Sequence, residues 1–374
     1  MRLGVNVVRL TRPFTGVGRY VDCLLREWSE LALPFEEVVL LTPRALDPTR
    51  LTFPLDRYRQ VIGGLRLPDP IWEWQALSPR VRGIDLLFCP SYTLPLGYRG
   101  RAAVSYFGPA TNTPGSFEWW RARAYEALYR YSVRHAAHVF TASGWVRRRV
   151  IERCGARESA VEAIPLAPAR HFKRVDAPAE LERVRRKYLG TDDRYVLFVG
   201  KLSGRHYIPE LLEAFARIRG ESSTAQKLLL VGPDVLGLGI PERVGKLGLV
   251  GSVTHVGYVP DADLPALYSA ADVFVFPASE AEGFGMPVVE AMACGTPVVS
   301  TALGSVPEVA GDAALLAPSN TPRALADTLG RALRDADLRQ DLGRLGLARA
   351  SRLSWKRTAE KTMASLWRVA AGLE

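Results

Sequence analysis

Short apolar runs, each followed by a loop with glycine or proline and then by a stretch with helical spacing, recur along the chain. A run of four to eight apolar residues is typical of a strand buried on both faces, and strands alternating with helices predict a parallel sheet. The predicted strands are 3–8, 38–42, 86–89, 102–107 and 139–143 in the first half, and 195–200, 227–232, 253–256, 273–276 and a strand from Val298 in the second.

Between the two halves, from Pro168 to about Arg194, the composition turns charged and proline-interrupted. Such a stretch predicts a connection between domains that leads into a surface helix. The chain has 374 residues, more than one hydrophobic core normally supports. We therefore predict two Rossmann-like α/β domains, residues 1–175 and 176–355, with a ligand cleft between them.

The most informative stretch begins with the apolar run 273–276, which predicts a buried strand. Pro287 stands where a helix begins, because its missing N–H is not needed there. Gly295 ends that helix, and Val298 opens the next strand. The stretch predicts a parallel βαβ unit whose loop lies at the carboxyl end of a strand, where open α/β sheets bind ligands.

Two acids bracket the helix start in this unit, Glu282 in the loop and Glu290 in the first turns. Between them, Gly283, Phe284 and Gly285 leave backbone N–H groups free to meet an anion at the positive helix end. Acids near helix starts are also common for dipole reasons alone, so without further context a structural role for both is the simpler interpretation.

A second glycine loop, Thr15-Gly16-Val17-Gly18-Arg19-Tyr20, follows the first predicted strand and precedes a helix running to about Leu33. A close approach to phosphate or sugar and a tight turn explain it equally well. The stretch does not satisfy Gly-x-Gly-x-x-Gly, and this argues against a dinucleotide-binding dehydrogenase.

Charge and composition narrow the function classes only coarsely. Lys and Arg number 49 against 39 Asp and Glu, a net charge of +10, which favours an anionic partner such as nucleic acid, anionic lipid or phosphorylated small molecules. The four cysteines lack metal-type spacing and predict reduced, buried thiols in a cytoplasmic protein. No stretch approaches the ~20 apolar residues of a membrane span, so we expect a soluble or peripherally attached protein.

Aromatic residues and arginines alternate in a predicted helix from Phe117 to Arg134 that includes Trp119, Trp120 and Arg121. A membrane-surface helix has this composition, but an ordinary amphipathic helix has it as well, and the ordinary helix is favoured because it is commoner. His135 and His138 are three residues apart without a third ligand nearby, so no metal site is predicted.

The stretch Glu282-Gly283-Phe284-Gly285-Met286-Pro287-Val288-Val289-Glu290 resembles the Glu-x7-Glu signature of retaining GT-B glycosyltransferases of family 4, the glycosyl transferases group 1. Weaker similarities lie at 15–20, 89–96, 198–202, 257–259 and Trp355. The resemblance implies a GT-B fold, in which two Rossmann-like domains face each other across a cleft and a last helix, about 356–374, crosses back to the first domain. It also implies sugar transfer from a nucleotide-sugar with retained anomeric configuration and without a bound metal or other cofactor.

Carried over by position, the resemblance implies that Glu290 binds the donor ribose and that Glu282 is the catalytic carboxylate facing the donor sugar. Lys201 and Arg205 would neutralise the diphosphate. The remaining donor contacts would come from Gly16, Gly18, Tyr258, Val259, Gly283, Phe284, Gly285 and Met286. Arg19, Tyr92 and Phe107 would lie on the acceptor side.

Two positions depart from the family pattern. His206-Tyr207 stands where many members have a Lys-Asn or Lys-Gly pair, with Arg205 next to it as a substitute charge. Phe107 stands where many members have the His of a His-Asp pair, and Phe neither hydrogen-bonds a sugar hydroxyl nor donates a proton.

We therefore expect a retaining glycosyltransferase, a hexosyltransferase with mannosyl transfer as one option, that acts on a glycan or lipid-linked acceptor at the cytoplasmic side of the membrane. The alternatives are a non-catalytic family member that binds nucleotide-sugars as a partner or regulator, motivated by Phe107 and His206, and a nucleic-acid-binding protein, motivated by charge alone.

Overall fold

A computed structural model gives the structure of the chain and describes residues 1–12, 16–63, 72–73, 81–108, 119–221 and 226–373. The chain divides into two compact units. The first is formed by Met1–Gly108, Trp120–Leu166 and Ser354–Glu374, and the second mainly by Ala167–Leu353. Each unit contains one parallel sheet with helices, as the alternating pattern predicts.

The first unit has a seven-stranded parallel sheet in the order β3-β2-β1-β4-β5-β6-β7. The strands are β1 Arg2–Asn6, β2 Glu37–Thr42, β3 Arg59–Ile62, β4 Leu86–Cys89, β5 Ala102–Ser105, β6 His138–Thr141 and β7 Val161–Ala163. Its helices are α1 Gly16–Ser29, α2 Trp119–His135, α3 Gly144–Arg149 and the last helix of the chain, Trp355–Ala371.

The last helix packs in the first unit although its sequence follows the whole second unit. The Trp28 indole N–H on α1 donates 3.0 Å to the carbonyl of Ala359, and the Ser365 hydroxyl donates 2.6 Å to Oε2 of Glu162 on β7. Leu366, next to Ser365 in the chain, is fully buried. Apolar burial and two hydrogen bonds to different elements fix this helix in the first unit.

The second unit has a six-stranded parallel sheet in the order β10-β9-β8-β11-β12-β13. The strands are β8 Tyr195–Val199, β9 Lys227–Val231, β10 Val253–Val256, β11 Val273–Phe276, β12 Val298–Thr301 and β13 Ala314–Ala317. The helices are α4 Pro178–Leu189, α5 Ile208–Glu221, α6 Ile240–Lys246, α7 Leu264–Ala270, α8 Met286–Ala293, α9 Val306–Ala310, α10 Pro322–Arg334 and α11 Ala336–Ala350, and the last helix of the chain becomes α12.

The central strands of both sheets are continuous apolar runs because both of their faces are covered. Every residue of β11 is buried, and so is every residue of β4. The sequence missed β3, β7 and β13, which pair on one side only and carry partly exposed residues. Polar or charged residues interrupt the apolar run in β3 and β7, and the four apolar residues of β13 cannot be told from a helix segment by periodicity alone.

Several predicted boundaries were wrong. Helix α1 begins at Gly16 and ends at Ser29, so the glycine motif lies in its first turn rather than in a loop before it; Thr15 lies outside the described residues. Strand β5 ends at Ser105, which leaves Phe107 beyond the strand. His138 begins strand β6 rather than sharing a helix with His135. Among the described residues, no helix combines the length and apolarity needed to cross a membrane.

Candidate active site

The predicted βαβ unit is present in the second unit, as β11, a loop, α8 and β12. Gly285 caps α8 with φ 81°, a left-handed conformation that favours glycine, and Pro287 occupies the first turn. Gly295, with φ 74°, follows the last turn. The two glycines and the proline therefore set both ends of this helix, as the sequence predicts.

Glu282 is buried, with 8% of its surface exposed, and both of its carboxylate oxygens are engaged. Oε1 accepts a 3.0 Å hydrogen bond from the Gly285 N–H at the helix start, and Oε2 accepts one of 3.2 Å from Nη2 of Arg205. The carboxylate thus links the loop before α8 to the loop after β8. The arrangement places one anion and one cation at the carboxyl ends of two adjacent strands, β8 and β11.

The loop that carries Glu282 is held by a close backbone approach from the loop after β12. The Ser305 N–H donates 3.1 Å to the Glu282 carbonyl, and the Glu282 N–H donates 3.0 Å to the Ser279 carbonyl. Gly304 has φ 64°, and a Cβ there would lie 2.6 Å from the Ser279 carbonyl oxygen and 2.9 Å from that of Glu282. Only glycine fits this crossing, which fixes the height of Glu282 above the sheet.

The cations lie in the short turn after β8. Lys201 is exposed, whereas the Arg205 side chain is 30% exposed and belongs to a single 3-10 turn, Gly204–His206. Within the described residues, Nε of Arg205 is buried without a hydrogen-bond partner. Arg205 therefore keeps donor capacity after it has paired with Glu282.

His206 is buried beside this pair. Its Nδ1 lies 2.6 Å from the Lys201 carbonyl oxygen, and its Nε2 lies 3.9 Å from Oε2 of Glu282. Burial lowers the pKa of His206 below its ordinary value, and the charges of Arg205 and Lys201 lower it further; the Glu282 carboxylate and the hydrogen bond to the Lys201 carbonyl act in the opposite direction. The imidazole is therefore neutral near pH 7.

Glu290, on α8, is 5% exposed and accepts a 3.2 Å hydrogen bond from the phenol of Tyr268 on α7. A glutamate on a solvated helix face is normally exposed, whereas Glu290 is buried and hydrogen-bonded. Tyr268 was not predicted from the sequence, since nothing in the chain pattern links it to a residue 22 positions later.

The other predicted donor residues have unequal access. Tyr258 follows β10 and is 79% exposed, while the adjacent Val259 is buried. Phe284 is also buried, in the loop before α8, and Met286 is the first residue of that helix. Tyr258 thus offers a free ring at the carboxyl edge of the sheet, and the buried Val259 and Phe284 shape the backbone rather than offer side chains.

The predicted residues of the first unit form a separate group. Gly16, Gly18 and Arg19 lie in the first turns of α1, and Gly16 is exposed with open space where a Cβ would be. Phe107 makes an edge contact with the ring of Tyr20, centroids 4.7 Å apart, and Tyr92 lies 6.1 Å from Phe107. Phe107 is half-buried, and its ring packs against those of Tyr20 and Tyr92.

Sequence reasoning also missed a buried polar group at the carboxyl ends of β1 and β4. Glu73, 3% exposed, accepts a 2.8 Å hydrogen bond from Nδ2 of Asn6 and another from the hydroxyl of Thr93. Buried carboxylates need such partners, because burial without hydrogen bonds is costly. Within the described part of the chain, no three His, Cys, Asp or Glu side chains are grouped as metal ligands.

Two parallel Rossmann-like sheets in two units, with a Glu-x7-Glu loop and helix at the carboxyl edge of the second, define a GT-B glycosyltransferase. The model described as "Glycosyl transferases group 1" matches residues 182–348. O-antigen chain mannosyltransferase B of Escherichia coli is 31% identical over 374 residues, which cover 94% of this chain and 95% of that protein. The chain belongs to the glycosyl transferases group 1 family and is a glycosyltransferase.

Solved structures agree with this fold. Sucrose-phosphate synthase from Thermosynechococcus elongatus superposes with a TM-score of 0.77 at 22% identity, covering 100% of both chains. HepE from Anabaena, in complex with UDP-glucose, gives a TM-score of 0.76 at 17% identity and covers 98% of each chain. At these identities the likeness shows the fold alone.

Proposed function

We propose that this glycosyltransferase moves a hexosyl unit from a nucleotide-sugar to a glycan or lipid-linked acceptor in the synthesis of a cell-surface polysaccharide or glycolipid, with retention of the anomeric configuration. The observation that carries this proposal is the contact of Arg205 with Glu282, whose carboxylate also binds the N–H of Gly285 at the start of α8. At the carboxyl edge of one sheet, one carboxylate lies within hydrogen-bonding distance of one cation and of one helix start.

This group suits the charges of glycosyl transfer. The transition state develops positive charge on the sugar ring, which a buried carboxylate such as Glu282 stabilises, and negative charge on the departing diphosphate, which Arg205 and Lys201 neutralise. Glu290, held by Tyr268, would accept hydrogen bonds from the ribose hydroxyls. The exposed ring of Tyr258 is available to border the base.

The proposed sugar rests on the name of the Escherichia coli relative, which describes mannosyl transfer to an O-antigen chain. We therefore propose a mannose donor and a polysaccharide acceptor for this chain. Phe107, Tyr92 and Arg19 in the first unit would contact the acceptor side, and Gly16 and Gly18 would bring the start of α1 close to the donor phosphates. Attachment to the inner face of the membrane and activity without a resident metal belong to the same proposal.

Thermal-shift screening of the purified protein against GDP-mannose, UDP-glucose, UDP-N-acetylglucosamine and dTDP-rhamnose tests the donor, because a ligand of the folded state raises Tm by mass action. We expect one of these donors to raise Tm and Glu290→Ala to weaken that donor's binding. No shift and no turnover with any of the four would contradict the proposal. NMR of the product, with and without EDTA, tests retention and metal independence.

Membrane attachment has its own test. Binding to liposomes with and without anionic lipid, compared between the native chain and a variant that replaces Trp119, Trp120 and Arg121 by alanine, would detect it. The side chains of these residues lie outside the described part of the structure.

A further inference from the structure

One oxygen of Glu282 has two basic neighbours. Oε2 lies 3.2 Å from Nη2 of Arg205 and 3.9 Å from Nε2 of His206, whereas Oε1 is held by the backbone of Gly285 at 3.0 Å. Since Oε1 is fixed to the helix start, Oε2 is the atom that can change partner without moving the loop. A shift of about 1 Å would bring the imidazole to ordinary hydrogen-bond length.

The hydrogen bonds of His206 determine its tautomer. A backbone carbonyl accepts only, so the 2.6 Å contact from Nδ1 to the Lys201 carbonyl requires the proton to be on Nδ1. In the neutral ring, Nε2 then carries a lone pair and repels the carboxylate oxygen it faces. This explains why Nε2 lies 3.9 Å from Glu282, outside hydrogen-bonding distance.

Rings and charged groups surround His206. The rings of Phe198 and Phe276 lie 5.7 and 5.1 Å from the imidazole, and burial is the main cause that lowers its pKa. The charges of Arg205 and Lys201 lower this pKa as well, while the Glu282 carboxylate and the hydrogen bond to the Lys201 carbonyl raise it. A diphosphate near these cations would add negative charge. It would offset the positive charges of Arg205 and Lys201, which disfavour protonation of His206.

We propose that His206 takes up one proton from solvent when a nucleotide-sugar binds, and that the imidazolium becomes the partner of Glu282 as Arg205 turns to the diphosphate. The proton is accepted by the Nε2 lone pair and returns to solvent when the diphosphate product leaves. The unpartnered Nε of Arg205 is a donor for the incoming oxygens. This inference rests on the proposed donor and makes His206 a positioning residue that acts through Glu282.

The sign of the pH dependence follows from the proton count. Because the complex holds one proton more than the free protein, donor affinity weakens as pH rises, by up to about tenfold per pH unit between the two pKa values of His206. The diphosphate of a nucleotide-sugar is a diester and does not titrate near neutral pH, so the ligand adds no proton of its own. Isothermal titration calorimetry in phosphate and in Tris, whose ionisation enthalpies differ, counts the proton directly.

Two substitutions at one position separate charge from shape. His206→Asn keeps a donor for the Lys201 carbonyl but has no titrating group; we expect binding without proton uptake and about tenfold weaker affinity at low pH. His206→Lys supplies a fixed charge; we expect affinity near that of the native protein at low pH and little change with pH. His135→Asn is the control, because His135 is an exposed histidine whose Nδ1 lies 2.8 Å from the Tyr131 carbonyl oxygen.

The binding experiments distinguish failure of the proposed function from failure of this inference. The probe is whichever of the four donors gives the largest thermal shift. If none binds the native protein, the proposed function itself fails. If a donor binds with the same observed enthalpy in both buffers and with a flat pH profile, the inference fails while the proposed function stands. A His206→Asn variant that folds normally and still takes up a proton would also overturn it.

Discussion

The phenol of Tyr268 donates a 3.2 Å hydrogen bond to Oε2 of Glu290, and both residues are buried in the second unit. Tyr268 lies on α7 and Glu290 on α8, so the bond joins the helices that precede and follow β11 in the chain. The bond fixes the position of the buried Glu290 carboxylate. In the proposed function, this carboxylate binds the ribose of the donor.

Tyr268→Phe removes only this donor and leaves the ring in place. Since hydrogen bonds to charged groups contribute about 1.5 kcal/mol or more, we expect the donor Kd to rise about tenfold. Titration calorimetry with the donor found in the screen measures the change. Tyr195→Phe is the matched control, because its phenol also makes a buried bond, 2.5 Å to the Leu267 carbonyl, away from Glu290. Equal effects of the two variants on Kd would contradict the role given to Tyr268.

Glu282→Gln tests the carboxylate charge. The amide oxygen still accepts from the Gly285 N–H, so we expect the fold to be retained while kcat falls about 100-fold or more, because the charge that faces the developing cation is lost. Steady-state kinetics with the preferred donor measures kcat. Glu280→Gln, an exposed glutamate two residues earlier in the same loop, should retain native kcat. A Glu282→Gln enzyme with native kcat would contradict a catalytic role.

Local signals in the sequence were sufficient for the βαβ unit around Glu282. Pro287 and Gly295 mark the ends of one helix through their own backbone preferences, which depend little on the rest of the chain. The central strands were predicted because burial on both faces leaves continuous apolar runs. The edge strand β13 was missed because its four apolar residues cannot be told from a helix segment by periodicity alone.

Long-range contacts could not be predicted in this way. The sequence identified His206 as a departure from the family pattern, but its position beside Glu282 depends on β8 and β11 being neighbours in the sheet. The same limit applies to Tyr268 with Glu290 and to the crossing at Gly304. The site roles themselves stay predictions, to be decided by the variants described.

Gly304→Ala is expected to distort the Glu282 loop. The added methyl would lie 2.6 Å from the Ser279 carbonyl oxygen, a backbone atom that must move, and the residue has φ 64°. Together these effects predict a loss of about 2–4 kcal/mol in the free energy of unfolding, and lower activity in the protein that remains folded. Denaturant titration followed by circular dichroism measures the loss.

Gly245→Ala is the control for the Gly304 variant. Gly245 lies in α6 with no atom within 4 Å of an added Cβ, so alanine there should raise stability by about 0.5–1 kcal/mol. If Gly304→Ala were as stable as the native protein, the crossing would not constrain the loop.

The ion cluster at Asp263 gives a pH prediction. Arg183 on α4 donates 2.6 Å to Oδ1 of Asp263, and Lys187 donates 2.7 Å to Oδ2, next to the phenol of Tyr188. Burial acts to raise the pKa of Asp263, but the hydrogen bonds from Lys187, Tyr188 and Arg183 outweigh it and hold this pKa far below the ordinary 3.8. The cluster ties α4 to the start of α7.

Because the folded-state pKa is depressed, Asp263 stabilises the fold above the unfolded-state pKa near 3.8, and this stability is lost as pH falls further. Asp263→Asn should therefore lower the free energy of unfolding at pH 7 by about 1–2 kcal/mol, a modest value since Arg183 and Lys187 are more than a third exposed, and the deficit should shrink below pH 4. Urea titrations of both proteins from pH 7 to pH 2 measure it. Asp192→Asn, which removes an exposed ion pair with Arg186, should change stability little at any pH, and a deficit at Asp263 that is independent of pH would contradict the assignment to charge.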